Sequence, residues 1–240
     1  MEKIENSIEE TGFIEKYGIE MIFVEGGTFL MGATSDEDDN CDDEKPVHQV
    51  TVNSFYISKY PITQEQWMAV TGDNPSYFDG ENLPVEMIHW DDTQNFIRTL
   101  NEQTGKQYRL PTEAEWEFAA RGGVKSKEYR YSGSNEIAQV AWYEDNSEDK
   151  TCPVGLKAPN ELGIYDMSGN VWEWCNDWFG EYPASDQTNP QGPVSGSSRV
   201  LRGGGWSSRA RGCRVSHRII LNPNLRYSRS GLRLLLRVIH

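Results

Sequence analysis

Apolar and polar positions alternate through MIFVEGGTFLMG (21–32) about the Gly26-Gly27 pair, and this pattern predicts a short hairpin. A second alternating stretch, HQVTVNSFYISKYPIT (48–63), predicts a strand ending at Pro61. Thr63 then stands as the N-cap of a short helix over 63–72 that Gly72 closes. At 90–105 the apolar residues Phe96, Ile97 and Leu100 recur at helical spacing, and Gly105 marks the stop. In YRLPTEAEWEFAARGG (108–123) Thr112 and Glu115 have the spacing of a capping box, and acids gather at the positive end of the helix dipole. That helix places Trp116, Ala119 and Ala120 on its core face and ends at Gly122-Gly123. From Tyr129 onward periodicity fades and turn residues dominate, with no internal repeat. The pattern is that of a loop-rich α+β chain with little regular secondary structure.

Composition narrows this to one large folded domain over 1–240, with 1–20 as an N-terminal extension and 199–237 as a basic C-terminal segment. Of the 240 residues 37% are hydrophobic and 11% aromatic, enough apolar side chain for a packed core. No run is long enough to span a membrane, and Arg233 and Arg237 interrupt the longest late one. Residues 1–18 read as acidic and helix-like, without the basic and apolar regions of an export signal.

Charge is distributed unevenly. Ten arginines and no acid follow Asp186, so 13 of the 23 basic residues stand before it with all 37 acids: a formal −24 against +10. The arginines alternate with Gly, Ser and aliphatic residues and do not form a lysine-rich block, which argues against a nucleic-acid partner. The pattern predicts that the basic end packs on the acidic body through guanidinium–carboxylate pairs. The acidic stretch 35–46 reads as a solvated loop, since it has no EF-hand spacing. Cys41, Cys152, Cys175 and Cys213 match no zinc pattern.

GGTFLMG, PVHQVTVNSFYISKYPIT, NPSYF, PVEMIHWDD, YRLPTEAEWEFAARGG, GIYDMSGNVWEW, RVLRGGGW and GLRL follow one another in order. Together they resemble the formylglycine-generating-enzyme, or sulfatase-modifying-factor, family over roughly residues 20–237. The resemblance implies a variant C-type-lectin fold and, in the family's enzymes, two cysteines that hold Cu(I). Soft thiolates select that ion. Laid on RGGGWSSRARGCR, the second cysteine is Cys213, the only retained catalytic candidate, while the first falls on Ser208. The family's serine after RGG is Gly205, and an asparagine near the end falls on Arg229. A serine hydroxyl does not replace a thiolate at copper, so neither copper nor oxidase activity is expected. The resemblance also suggests Cys175 and Cys213 as spatial neighbours, either thiols or a disulfide. It carries over a calcium site with carboxylates from Asp166 and Glu173 and carbonyls from Gly169 and Val171. The alternative is that both acids pair with C-terminal arginines.

The segment 207–230 contains no Asp, Glu, Lys, Gln, Met, Trp, Thr or Phe. It resembles the variable region of proteins diversified by retroelements, some of which use this fold. The implied ligand-binding positions are Trp206, Ser207, Ser208, Gly212, His217, Ile219, Ile220, Leu221, Asn224, Leu225, Tyr227, Ser228 and Ser230. The interleaved arginines, Cys213 and Val215 would point inward. Three readings follow: a monomeric display protein for an unknown protein or cell-surface ligand, a housekeeping interaction module, and a divergent oxidoreductase. Display implies the cell surface if a leader precedes the chain, and the cytoplasm otherwise.

Overall fold

The computed structural model describes residues 12–34 and 42–238. The helix-like reading of the N-terminus falls mainly on 1–11, outside the described residues. Gly12–Ile14, which follows, is a strand (β1) paired antiparallel with β2 (Glu20–Val24). So the part of the expected extension that is described belongs to the largest sheet.

That sheet has five strands in the order β1-β2-β5-β12-β6, where β5 is Phe55–Ser58, β6 Tyr108–Arg109 and β12 Leu235–Arg237. Its side chains alternate between two cores, as the pleat requires. Met21, Tyr56 and Leu236 face one cluster with Trp67, Phe96 and Trp174. Val24, Phe55, Ile57 and Leu235 face a second with Trp116, Phe118 and Cys175. All four residues of β5 are buried, which fits a strand covered on both faces.

The expected hairpin over 21–32 does not form. β2 pairs with β5, whereas β3 (Gly27–Met31) pairs with β4 (His48–Val52) in a three-stranded sheet β3-β4-β8, where β8 is Gln187–Thr188. The single strand expected over 48–63 is likewise two, β4 and β5, in different sheets. At Gly26 an added Cβ would lie 2.6 Å from the backbone of Val52 and Ser54, so only glycine lets the two crossovers pass this closely. A four-stranded sheet, β10-β9-β7-β11, comprises Arg218–Leu221, Arg199–Arg202, Trp172–Trp178 and Ser230–Gly231.

The helices lie where local spacing put them. In α1 (Gln64–Thr71) Thr63 and Gln66 close a capping box, and Gly72 turns left-handed at φ 87°. Helix α2 (Trp90–Thr104) stops at Gly105, and its N-cap is His89, whose Nδ1 accepts from the Asp92 amide at 3.0 Å. In α3 (Glu113–Ala120) Thr112 and Glu115 form the predicted box, and every residue of the helix is buried, acids included. One turn, Ile137–Val140 (α4), follows. No helix among the described residues is long and apolar enough to cross a membrane.

Candidate functional site

The basic C-terminal segment is fastened to the body by buried guanidinium–carboxylate forks. Arg214 holds Glu44 through two bonds of 2.7 and 2.9 Å, Arg218 holds Glu113 at 2.6 and 2.8 Å, and Arg233 holds Glu173 at 2.9 and 3.0 Å. Arg202 bonds Glu117 and the carbonyls of Val215 and Ser216. This bidentate geometry is what guanidinium and carboxylate favour. Glu44 departs from the solvated reading of 35–46: it is fully buried under Arg214 and His217. Burial pushes its carboxyl up, but hydrogen bonds from His217 and Arg214 outweigh that and hold it well below the usual range. Residues 35–41, with Cys41, lie outside the described residues. Of the arginines interleaved in 207–230, the expected inward placement holds for Arg214 and Arg218. Arg209, Arg211 and Arg226 are exposed and Arg229 is half-buried.

On this frame β9 and β10 pair with Ile220 opposite Val200 and Ile219 opposite Leu201. Arg218 points in, Ile219 and Leu221 lean on the first core cluster, and Ile220 stands 52% exposed. Leu225 and Tyr227 are 45% and 41% exposed, so none of the segment's predicted aliphatic contacts is a core residue. Seven of the thirteen predicted positions (Ser207, Ser208, Ile219, Ile220, Leu221, Tyr227 and Ser230) line one cavity of about 330 Å³ with Trp172, Leu201 and Arg229. Asn224 is exposed and Ser228 half-buried, both apart from that cavity. Trp206 is half-buried, donates to the Ser228 carbonyl at 2.8 Å and meets Phe78 edge-on at 5.6 Å. His217 is drawn to Glu44 at 2.9 Å.

Two positions depart from the expected outward face. Gly212 is buried between Ser208 and His217, in the short helical turn before Cys213. Ser230 is 1% exposed, because β11 runs beside β7 with Ser230 opposite Trp172 and its hydroxyl donates to the Tyr227 carbonyl. Arg229, Trp172 and Leu201 were missed as lining residues. The one signal for Arg229 was its departure from the family's asparagine.

Cys213 is fully buried, and burial, followed by the charge of Glu144, pushes its thiol up to about 12. A thiol held that high supplies almost no thiolate at neutral pH. Ser208 accepts the Gly205 amide proton at 2.9 Å. Cys175 and Cys213 are both free thiols and belong to separate clusters, Cys175 with the α3 core and Cys213 with Tyr131 and Tyr143. Of the two expected states, buried thiols or a disulfide, the thiols are the ones present.

The residues carried over for calcium do not fit together as a cation site. Glu173 spends its carboxylate on the Arg233 fork and on Trp116 Nε1 at 2.7 Å, so a dication there would sit against a buried guanidinium. The alternative of an arginine partner therefore holds for Glu173. Asp166 accepts the Gly155 amide at 2.7 Å and leaves Oδ1 unpartnered. No group of three or more His, Cys, Asp or Glu side chains among the described residues is arranged to hold a metal ion.

Comparison with known proteins agrees with the fold. Variable protein 1 of Treponema denticola superposes with a TM-score of 0.87 at 31% identity, over 95% of this chain and 99% of that one. The chaperone protein LppX of Paenibacillus barcinonensis is 36% identical over 248 residues, 82% of each chain. The formylglycine-generating enzyme of Thermomonospora curvata is 29% identical over 287 residues, 89% of this chain and 92% of its own. The sulfatase-modifying factor enzyme 1-like domain matches residues 14–238, nearly all of the α+β architecture described above, and the chain belongs to that family.

Proposed function

We propose that this chain is a non-catalytic ligand-binding protein whose recognition surface is the cavity and rim built from residues 206–230. Relatives bearing the names of an enzyme, a chaperone and a variable protein share the fold, so activity must be argued from the site. The observation that carries the reading is the convergence of seven predicted contact positions on one cavity, all but Ser230 at least partly exposed, mounted on a frame of buried arginine pairs that none of the seven supplies. Such a division lets the walls change while the fold stands, as a recognition surface for a protein or cell-surface ligand requires. Against the oxidase alternative stand Ser208 at a copper position and a Cys213 thiol sealed from solvent.

Two measurements test this. A cysteine peptide of the sulfatase type, incubated with the copper-supplemented protein, keeps its thiol mass in mass spectrometry; conversion to the aldehyde mass would overturn the non-catalytic reading. Sequencing the 3′ coding end across a population shows substitutions concentrated at the cavity and rim positions, with Arg202, Arg214, Arg218 and Arg233 constant. An invariant segment would reject diversification.

A further inference from the structure

The cavity's polar chemistry is one-sided. Arg229 is its single charged lining residue. In a chain with 37 acids, no carboxylate among the described residues comes within ion-pair reach of it. Its guanidinium donates from Nη1 to Ser207 Oγ at 2.8 Å and lies over the Tyr227 ring at 5.5 Å. These contacts orient the fork and leave its other N–H groups without an acceptor among the described residues. Ser207 Oγ is used as an acceptor by Arg229, and Ser208 Oγ as an acceptor by the Gly205 amide. A hydroxyl has one proton to give besides the lone pairs that receive. Both serines therefore present O–H donors that no acceptor among the described residues takes up. Of the remaining lining residues Trp172, Leu201, Ile219, Ile220 and Leu221 are largely apolar, Tyr227 adds a phenol, and the Ser230 hydroxyl is spent on the Tyr227 carbonyl.

Resting on the ligand-binding reading above, we infer that the cavity takes the C-terminal residue of a peptide, its aliphatic side chain against the apolar walls and its α-carboxylate on Arg229, Ser207 and Ser208. A rim whose one charge is a guanidinium and whose Ser207 and Ser208 hydroxyls still have protons to give favours an anionic acceptor, and a carboxylate is one, matching guanidinium bidentately. The cavity's size decides between carboxylates. At about 330 Å³ the apolar walls and the guanidinium share one small space, so anion and hydrocarbon must belong to the same residue. An aspartate or glutamate within a chain carries its charge at the end of the side chain, with only a short methylene stem behind it to meet apolar walls. A chain-terminal leucine or valine has both. Capture of a terminal carboxylate by convergent donors is an established mode of peptide recognition. Arg229 is not one of the thirteen predicted contact positions, so the charge of the anchor stays fixed while Ser207, Ser208 and the walls are free to change.

The test uses the full chain and two probes that differ only in charge, N-acetyl-leucine and N-acetyl-leucinamide, with acetate as an anion lacking the side chain. Binding is followed by ¹H–¹⁵N NMR of the tryptophan indoles and by titration. N-acetyl-leucine is expected to perturb the Trp172 indole with a Kd on the order of millimolar. The amide should bind about tenfold more weakly and acetate should not saturate. In Arg229→Gln the acid should weaken to the level of the amide, while the amide's own affinity and the Tm stay put. Equal binding of acid and amide to the parent protein, or an unchanged preference in the variant, would overturn the carboxylate anchor and leave the cavity as a ligand site. Should no probe shift any cavity resonance, the recognition role of the cavity itself would fall.

Discussion

Asp177 is buried and lends Oδ2 to the Glu113 amide at 3.0 Å, so it caps the first turn of α3 from a neighbouring strand. Burial, followed by the nearby charge of Glu113, raises its carboxyl to about 8. Burial likewise raises Glu86 to about 7 and Asp166 to about 6. In the unfolded chain such groups titrate near pH ~4. Between about pH 4 and 8 the folded state therefore binds more protons than the unfolded one, and stability falls as pH rises through that window. The expected result is a urea midpoint that drops between pH 5.5 and 8.5. Asp177→Asn, which keeps an oxygen for the cap, should shrink that drop; a drop of unchanged size would show that Asp177 does not titrate there. None of this was visible in the residue types, because an aspartate beside a tryptophan reads as surface until the strand pairing buries it.

At the scale of elements, β7 shows what alternation does to chemistry. Trp172 and Trp174 face the first core, and Glu173 between them faces the other way, into Arg233 and Trp116. Removing one partner of a buried pair leaves the other charge unsolvated, a loss of about 3–5 kcal/mol. Glu173→Ala should therefore lower the Tm by roughly 10 °C, at about 2–4 °C per kcal/mol for a chain of this size. The drop should be the same with added calcium as with chelator. A calcium-dependent rise in Tm that the variant loses would restore Glu173 as a ligand. Helix ends were legible in the sequence because a cap is local: Thr63 with Gln66, and Thr112 with Glu115, bond within a single turn. Strand partners were not. β2 finds β5, and β5 finds β12 from the far end of the chain, so the alternation of 21–32 was read correctly as strand and wrongly as hairpin.

Across the whole molecule, the frame and the face should separate in a stability measurement. Ile220, Leu225 and Tyr227 are each more than two-fifths exposed, and changing any of them to serine or asparagine should shift stability by only about 0.5 kcal/mol. Ser230, pressed between β7 and the Tyr227 turn, should behave as a core position. Ser230→Tyr overpacks it and should cost about 1–3 kcal/mol or more. Chemical denaturation of the four variants distinguishes the two classes. A loss at Ile220 or Tyr227 equal to that at Ser230 would mean that the face is part of the core and cannot be diversified freely.

The sequence by itself determined the helix termini, the loop-rich α+β character, the family, and the docking of a basic end on an acidic body. Each of these depends on residue identity, spacing within a turn, or net charge, none of which needs a partner's location. Only the tertiary structure decided which carboxylate each arginine takes. Glu44 and Arg214 are 170 residues apart yet form a bidentate pair, whereas Arg229 reaches no acid among the described residues and faces a cavity instead. The physical reason is range: a fork needs donor and acceptor within about 3 Å, and the chain's path through three sheets sets that distance.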